Sequence, residues 1–231
     1  MKRRKFINRL SFGAAVTLMI PKAWSRPIQL AALPNVLILG DSISIGYTDL
    51  VRQALDGKAN VYRPMQADGK PWNCGGTTAG VKHLDTWLAI QTKWDVIHFN
   101  FGLHDLKHVD ANNGKNSTNP NDPQQAKPSV YKKQLKEIAK KLKSTNAQCI
   151  FANTTPFPDK PKGPLRRADQ AEVYNRIAFK IMKKYDIPIN DLNAFVQPNM
   201  EEWQFPNNVH FRPAGSRKLA EKVAQEIEKY L

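Results

Sequence analysis

Short apolar runs alternate with stretches of helical spacing along most of this chain. Val36-Leu37-Ile38-Leu39 sets four large aliphatic residues in a row, ended by Gly40-Asp41-Ser42, and reads as a strand buried on both faces that stops at a tight turn. From Gly46 to Leu55 a helical period runs through Tyr47, Leu50, Val51 and Leu55. A short strand near 60–65, a loop over 66–77 and a helix over 78–90, with Val81, Leu84 and Leu88 on one side, come next. Residues 94–101 predict a third strand, and 106–127 form an Asn/Pro/Lys-rich connection with no period. Connections of that length in a compact domain are usually functional or disordered. A helix over 129–144, a strand over 148–154 stopped by Pro156, a Pro-rich loop over 157–164, a helix over 167–185 and a short strand over 187–192 follow. A loop over 197–211 then feeds a terminal helix near Pro213, a residue suited to a first helical position. Five strands joined by helices imply a mostly parallel sheet, because parallel neighbours need crossovers and these are right-handed. The expected fold is a three-layer α/β/α sandwich forming one domain over 26–231.

Residues 1–25 are set apart as a targeting segment. Lys2, Arg3, Arg4, Lys5 and Arg9 precede an apolar run from Phe12 to Ile20 that Pro21 closes, too short to cross a bilayer and suited to a secretory signal. Arg3-Arg4 followed by Lys5-Phe6-Ile7 resembles a twin-arginine export signal, with an ordinary secretory signal as the alternative. Either one predicts a periplasmic or secreted protein with no stable membrane span once the signal is removed.

Charge changes the picture less than its size suggests. Six of the 35 lysines and arginines lie in residues 1–25, so the remainder holds 29 basic against 20 acidic residues, a net +9. That balance suits an anionic partner such as an acidic polysaccharide. The densest basic stretch, Lys132 to Lys143, keeps its apolar residues at helical spacing, so its lysines read as a solvated helix face. No aromatic residues are interleaved with them, which argues against nucleic acid as a partner. The two cysteines, Cys74 and Cys149, are expected as free thiols. His104 and His108 are the only residues with metal-like spacing and have no further ligand cluster, so neither a metal nor another cofactor is expected.

All the strand C-termini open on one edge, and four loops there carry Ser42, Gly75, His104 and His210. Those residues are the inventory of nucleophilic acyl transfer: a hydroxyl, a base to take its proton and donors for an oxyanion. Gly40-Asp41-Ser42-Ile43-Ser44, Asn73-Cys74-Gly75, Gly102-Leu103-His104-Asp105 and Val209-His210-Phe211 together resemble the four blocks of the SGNH (GDSL-type) hydrolases, in order and across the chain. The resemblance implies a flavodoxin-like fold and metal-free ester hydrolysis. It makes Ser42 the nucleophile, His210 the general base, and the amides of Ser42 and Gly75 oxyanion donors.

Two positions depart from that pattern. His104 stands where the family has an asparagine oxyanion donor; a ring N–H can donate too, with a dependence on protonation near the histidine pKa of about 6.5. The Gly-Leu-His-Asp form also resembles a subset of extracellular carbohydrate esterases. Asn207 stands where the family has aspartate three residues before the histidine, and it can orient the ring but cannot stabilise imidazolium by charge. Asp41, Asn73, Asp105 and Arg212 are candidate substrate contacts. For Asp105 a hydrogen bond shaping its own turn competes with that role, as does a surface cap for Arg212. Among the other histidines, His98 reads as a core residue, His83 as a surface one, and His108 as a loop residue or substrate contact.

The expectation is an exported serine esterase removing short acyl groups, above all acetyl, from carbohydrate. An O-acetyltransferase, a lysophospholipase or thioesterase, and a non-catalytic polysaccharide-binding module remain alternatives.

Overall fold

A computed structural model of the chain describes residues 32–159 and 161–231, and among them five strands form one parallel sheet. The segment read as an export signal lies outside the described residues. β1 (Asn35–Leu39) lies inside the sheet, with β2 (Asn60–Tyr62) on one side and β3 (Val96–Phe99), β4 (Gln148–Ala152) and β5 (Ile189–Asn190) in turn on the other, giving the order 2-1-3-4-5. The register pairs Leu37 with both Tyr62 and Ile97, and Phe99 with Phe151. The chain leaves β1 toward β2 and returns on its other side as β3. β1 and β3 therefore flank the point where the connections reverse, and in such sheets a crevice opens there at the strand C-termini.

The strands are apolar throughout because both faces are covered. Leu37, Leu39, Ile97, Phe99, Cys149 and Phe151 point to one side, packed by α2 (Thr77–Leu88), α3 (Pro128–Lys143) and α4 (Ala168–Lys184). Val36, Ile38, Val96, Ile150 and Ala152 point to the other, packed by α1 (Ser42–Ala54) and α7 (Pro213–Glu228). Alternate residues thus serve opposite cores, the period of two expected of a strand. The result is the three-layer α/β/α sandwich anticipated from the sequence, with a flavodoxin-like strand order. Cys74 and Cys149 are both free and buried.

The structure differs from the sequence expectation at three connections. α1 begins at Ser42 rather than Gly46, because the Asp41 side chain accepts from Ile43 N at 2.9 Å and caps the helix there. The strand expected to reach 192 gives way to α5 (Leu192–Val196), and the loop expected over 197–211 opens with one 3-10 turn (Gln197–Asn199) and α6 (Met200–Trp203). Asp191 starts this series by accepting from Ala194 N at 2.9 Å. The 106–127 connection folds on itself through bridges between His108 and Gln124 and between Val109 and Asn116. Its backbone also meets the residue just after the 157–164 loop, through Leu165 N donating to Ser117 O at 2.7 Å. Among the described residues no helix is long and apolar enough to cross a membrane.

Candidate active site

The position of Ser42 follows from how β1 ends. With Asp41 as N-cap, Ser42 is the first residue of α1, half-buried, with its hydroxyl at the sheet edge. Asp41 is 2% exposed, so the side chain read as a substrate contact is enclosed and committed to capping. Beneath the turn lies Arg63, a buried guanidinium that donates to Thr48 Oγ1 at 2.7 Å and to Trp72 O at 2.9 Å. It ties the β2–α2 loop to α1. Its only sequence signal is a charge inside the apolar stretch Val61 to Met65.

His210 reaches Ser42 across the whole chain, Oγ to Nε2 at 2.9 Å. Its loop is closed by a bridge between Gln204 and Phe211, by Phe205 N donating to His210 O at 3.0 Å, and by Gln204 Nε2 donating to Pro156 O at 2.7 Å. Arg212 belongs to the same closure: its Nε donates to Gln204 O at 2.9 Å and its backbone N to Trp203 O at 2.8 Å.

The group behind the ring is Asn208. Its Oδ1 lies 2.8 Å from His210 Nδ1 and accepts from the His210 backbone N at 3.1 Å. A backbone N–H can only donate, so the atom facing it is the amide oxygen. That oxygen also faces Nδ1, which must therefore carry the ring proton. Nε2 is left unprotonated, ready to accept the serine hydroxyl proton. Asn207, the residue singled out by family spacing, is exposed at the loop tip in the left-handed region, φ 52°, and its backbone O accepts from Lys162 N. Two adjacent asparagines precede the histidine, and spacing alone selects the first.

The oxyanion candidates converge beside this pair. Gly75 adopts φ 63°, and a side chain there would come within 3.9 Å of His104 Nδ1, so the two loops touch. In this state the Gly75 N–H donates to Asn73 Oδ1 at 3.0 Å, making Asn73 an internal acceptor for the donor it neighbours. Burial lowers the His104 pKa to about 4; Asp41 opposes the shift, while Lys107, Arg166 and His210 reinforce it. The ring is therefore neutral at ordinary pH. This corrects the expectation of a protonation step near 6.5 and leaves His104 with one N–H to donate.

Asp105 holds these loops together over a longer range than a local turn. Its Oδ1 accepts from Thr77 N at 2.7 Å and Thr77 Oγ1 at 2.6 Å. Gly76, the N-cap of α2, has no side chain to do this, so Asp105 caps the helix from another loop. Burial raises its pKa to about 7, against the opposing effect of the Thr77 hydrogen bonds. Arg166, also buried, donates from Nε to Leu103 O at 3.2 Å and braces the same loop. Thr77 and Arg166 carry no motif that would have singled them out.

The remaining histidines divide as follows. His98 is fully buried on β3, with Asn190 Nδ2 3.3 Å from its Nε2 and its pKa lowered by burial to about 4. His83 is half-buried rather than a surface residue, packed between Trp72 and Trp87. His108 spends Nδ1 on Asp122 O at 2.6 Å within its loop. Among the described residues no group of three or more His, Cys, Asp or Glu side chains is placed to hold a metal ion.

A serine meeting an imidazole in its accepting tautomer, on the C-terminal edge of a flavodoxin-like sheet, is the arrangement of a serine acylhydrolase. Residues 38–218 match the GDSL-like lipase/acylhydrolase family, and the chain belongs to it. Solved structures with the same fold include a lipase/acylhydrolase from Enterococcus faecalis, at 20% identity over 85% of this chain and 96% of that one, TM-score 0.65. An acetyl xylan esterase, AlAXEase, aligns at 15% identity over 84% of this chain and 99% of its own, TM-score 0.64. An acetylxylan esterase from Geobacillus stearothermophilus aligns at 15% identity over 84% and 94%, TM-score 0.62. At such identities the likeness concerns the fold. No curated protein sequence matches the chain. The chain is thus an SGNH-type ester hydrolase.

Proposed function

We propose that this protein is an exported serine esterase that removes short acyl groups, acetyl above all, from carbohydrate. The reading rests on the contact between Ser42 Oγ and His210 Nε2, 2.9 Å, with the ring proton held on Nδ1 by Asn208. His210 takes the proton of Ser42 as the hydroxyl adds to the ester carbonyl, and returns it to the departing sugar hydroxyl. Water, deprotonated by the same ring, then releases the acyl group as a carboxylate. Ser42 N, Gly75 N and the His104 ring N–H are the donors assigned to the oxyanion.

A groove beside the site supports a polar carrier. It measures about 520 Å³, lies at the ends of β4 and β5, and has Asn153, Asn175, Asp191, Asn193 and Gln197 among its lining residues. Amides and carboxylates in that density suit a polyhydroxylated chain better than an acyl tail. Two of the similar folds are described as acetyl xylan esterases, which favours the same substrate class. The basic, apolar composition of residues 1–25 supports export to the periplasm or beyond, where polysaccharides are met.

The test is hydrolysis of p-nitrophenyl acetate, butyrate and octanoate, and acetate release from acetylated xylan, by wild type and Ser42→Ala. Turnover that falls with chain length and vanishes in Ser42→Ala is expected. Activity rising toward octanoate would replace this reading with a lipid or thioester hydrolase, and acetyl transfer to added sugar exceeding release to water would make it a transferase.

A further inference from the structure

The positive charge of the chain has a local address that the ester chemistry does not use. α3 and α4 lie side by side on one face of the sheet, with the Tyr131 and Tyr174 rings 4.8 Å apart between them. Between the two helices runs a groove of about 290 Å³ whose walls carry Lys132 and Lys136 from α3 and Lys180 and Lys184 from α4. Each pair is spaced four residues apart, so cations recur about every 6 Å along both walls. Ion pairs on these helices run from Lys141 to Asp85 and from Arg176 to Glu172. Among the described residues the four groove lysines have no acidic partner, and all four are exposed. The floor is apolar: Ile181, 6% exposed, with Ile177 and Tyr185 half-buried.

We propose that this groove binds an acidic polysaccharide, a linear polyuronate, independently of the catalytic crevice. A pyranose ring presents a flat C–H face and an edge of hydroxyls and carboxylates. The face suits a narrow floor of isoleucine and tyrosine, and the carboxylates suit ammonium groups on either wall. Nucleic acid fits less well, because Tyr185 alone offers no succession of rings for bases to stack on. A bilayer fits less well too, since the apolar surface is recessed between the lysines instead of projecting beyond them. The groove beside the active site has the opposite character: Asp159, Glu172 and Asp191 line it, and among the described residues no lysine or arginine does. Recognition of anionic polymer therefore falls to the α3–α4 groove.

The test is binding of polygalacturonate to the full chain carrying Ser42→Ala, followed by calorimetry across a salt series, with neutral dextran, anionic vesicles and duplex DNA as comparisons. Binding to polygalacturonate that weakens with salt, and little to dextran, is expected. Joint replacement of Lys132, Lys136, Lys180 and Lys184 by alanine should lower the affinity about 10-fold to 100-fold. Replacing Lys58, Arg217, Lys218 and Lys229 near α7 removes the same charge and should change it less than about twofold. With Ser42 intact, p-nitrophenyl acetate turnover should be unchanged by the groove replacements, which also reports that the variant is folded. Absent binding, equal loss in the two variants, or tighter binding to vesicles or DNA than to polygalacturonate would overturn the proposal.

Discussion

Asn208→Asp isolates what a neutral amide costs behind the catalytic ring. The Asn208 oxygen stands 2.8 Å from His210 Nδ1, and a carboxylate in its place keeps the same acceptor geometry while adding a full charge. At about 4 Å between charge centres, attraction to imidazolium is roughly 1 kcal/mol in water and roughly 4 kcal/mol at an effective dielectric of 20. His210 is exposed, so solvent screening keeps the gain near the lower end, about 1–2 kcal/mol, or roughly 5- to 30-fold in turnover. The acid limb of kcat/KM should move to higher pH by the same free energy. Asn207→Asp, at a loop tip whose side chain makes no hydrogen bond to the ring, should change turnover by less than about threefold. Asn208→Ala removes the acceptor that fixes the proton on Nδ1 and should cost roughly 10- to 100-fold. The assay is kcat and KM on p-nitrophenyl acetate over about pH 5 to 9 for the three variants. A tenfold gain from Asn207→Asp with none from Asn208→Asp, or a neutral Asn208→Ala, would refute the placement of the ring support.

His104→Ala should lower kcat by roughly 100-fold or more, as loss of one oxyanion donor does, whereas His104→Asn retains a donor and most activity; steady-state kinetics distinguish them. His98 and His104 titrate near 4 when folded and near 6.5 unfolded, so the stability they contribute is complete above pH 6.5 and lost as pH falls toward 4, up to roughly 3 kcal/mol each. Asp105 works in the opposite direction: its pKa of about 7, raised from 3.8, makes stability fall as pH rises through that interval. Asp105→Asn should accordingly be stabilising at pH 8 and not at pH 4, measured by urea unfolding. Gly102→Ala would drive a methyl group into Thr154 Oγ1 from a backbone at φ 149°, and thermal unfolding should show a loss of about 2 kcal/mol or more, some 4–8 °C.

The layers of the fold could be read in advance because β1, β3 and β4 are apolar runs of the right length, bounded by Gly, Pro and Asn. The elements that went unread are those held by single long-range contacts. α5 depends on one aspartate cap, and the 106–127 connection on bridges between residues whose side chains carry no period. At the site, Ser42 and His210 were singled out because four short blocks together resemble one family, and the structure brings the two side chains within 2.9 Å. Asn208 was not, since adjacent identical residues differ only in which backbone angle each adopts, and Asn207 takes the left-handed one. Asp105 was read as local because sequence shows its neighbours and not Thr77, 28 residues away. The low pKa of His104 comes from burial, a property of the assembled loops that no stretch of residues displays.

The contact between Ser42 and His210 spans 168 positions, and that separation has a consequence in time. While the chain is being made, Ser42 emerges early and remains an ordinary alcohol. Its partner arrives 168 residues later, on a loop positioned by the packing of α7 against α1 and the sheet. A chain lacking α7 still carries His210, three residues before that helix, but has lost the packing that sets its ring against Ser42. Esterase activity is therefore expected only once α7 has packed against α1.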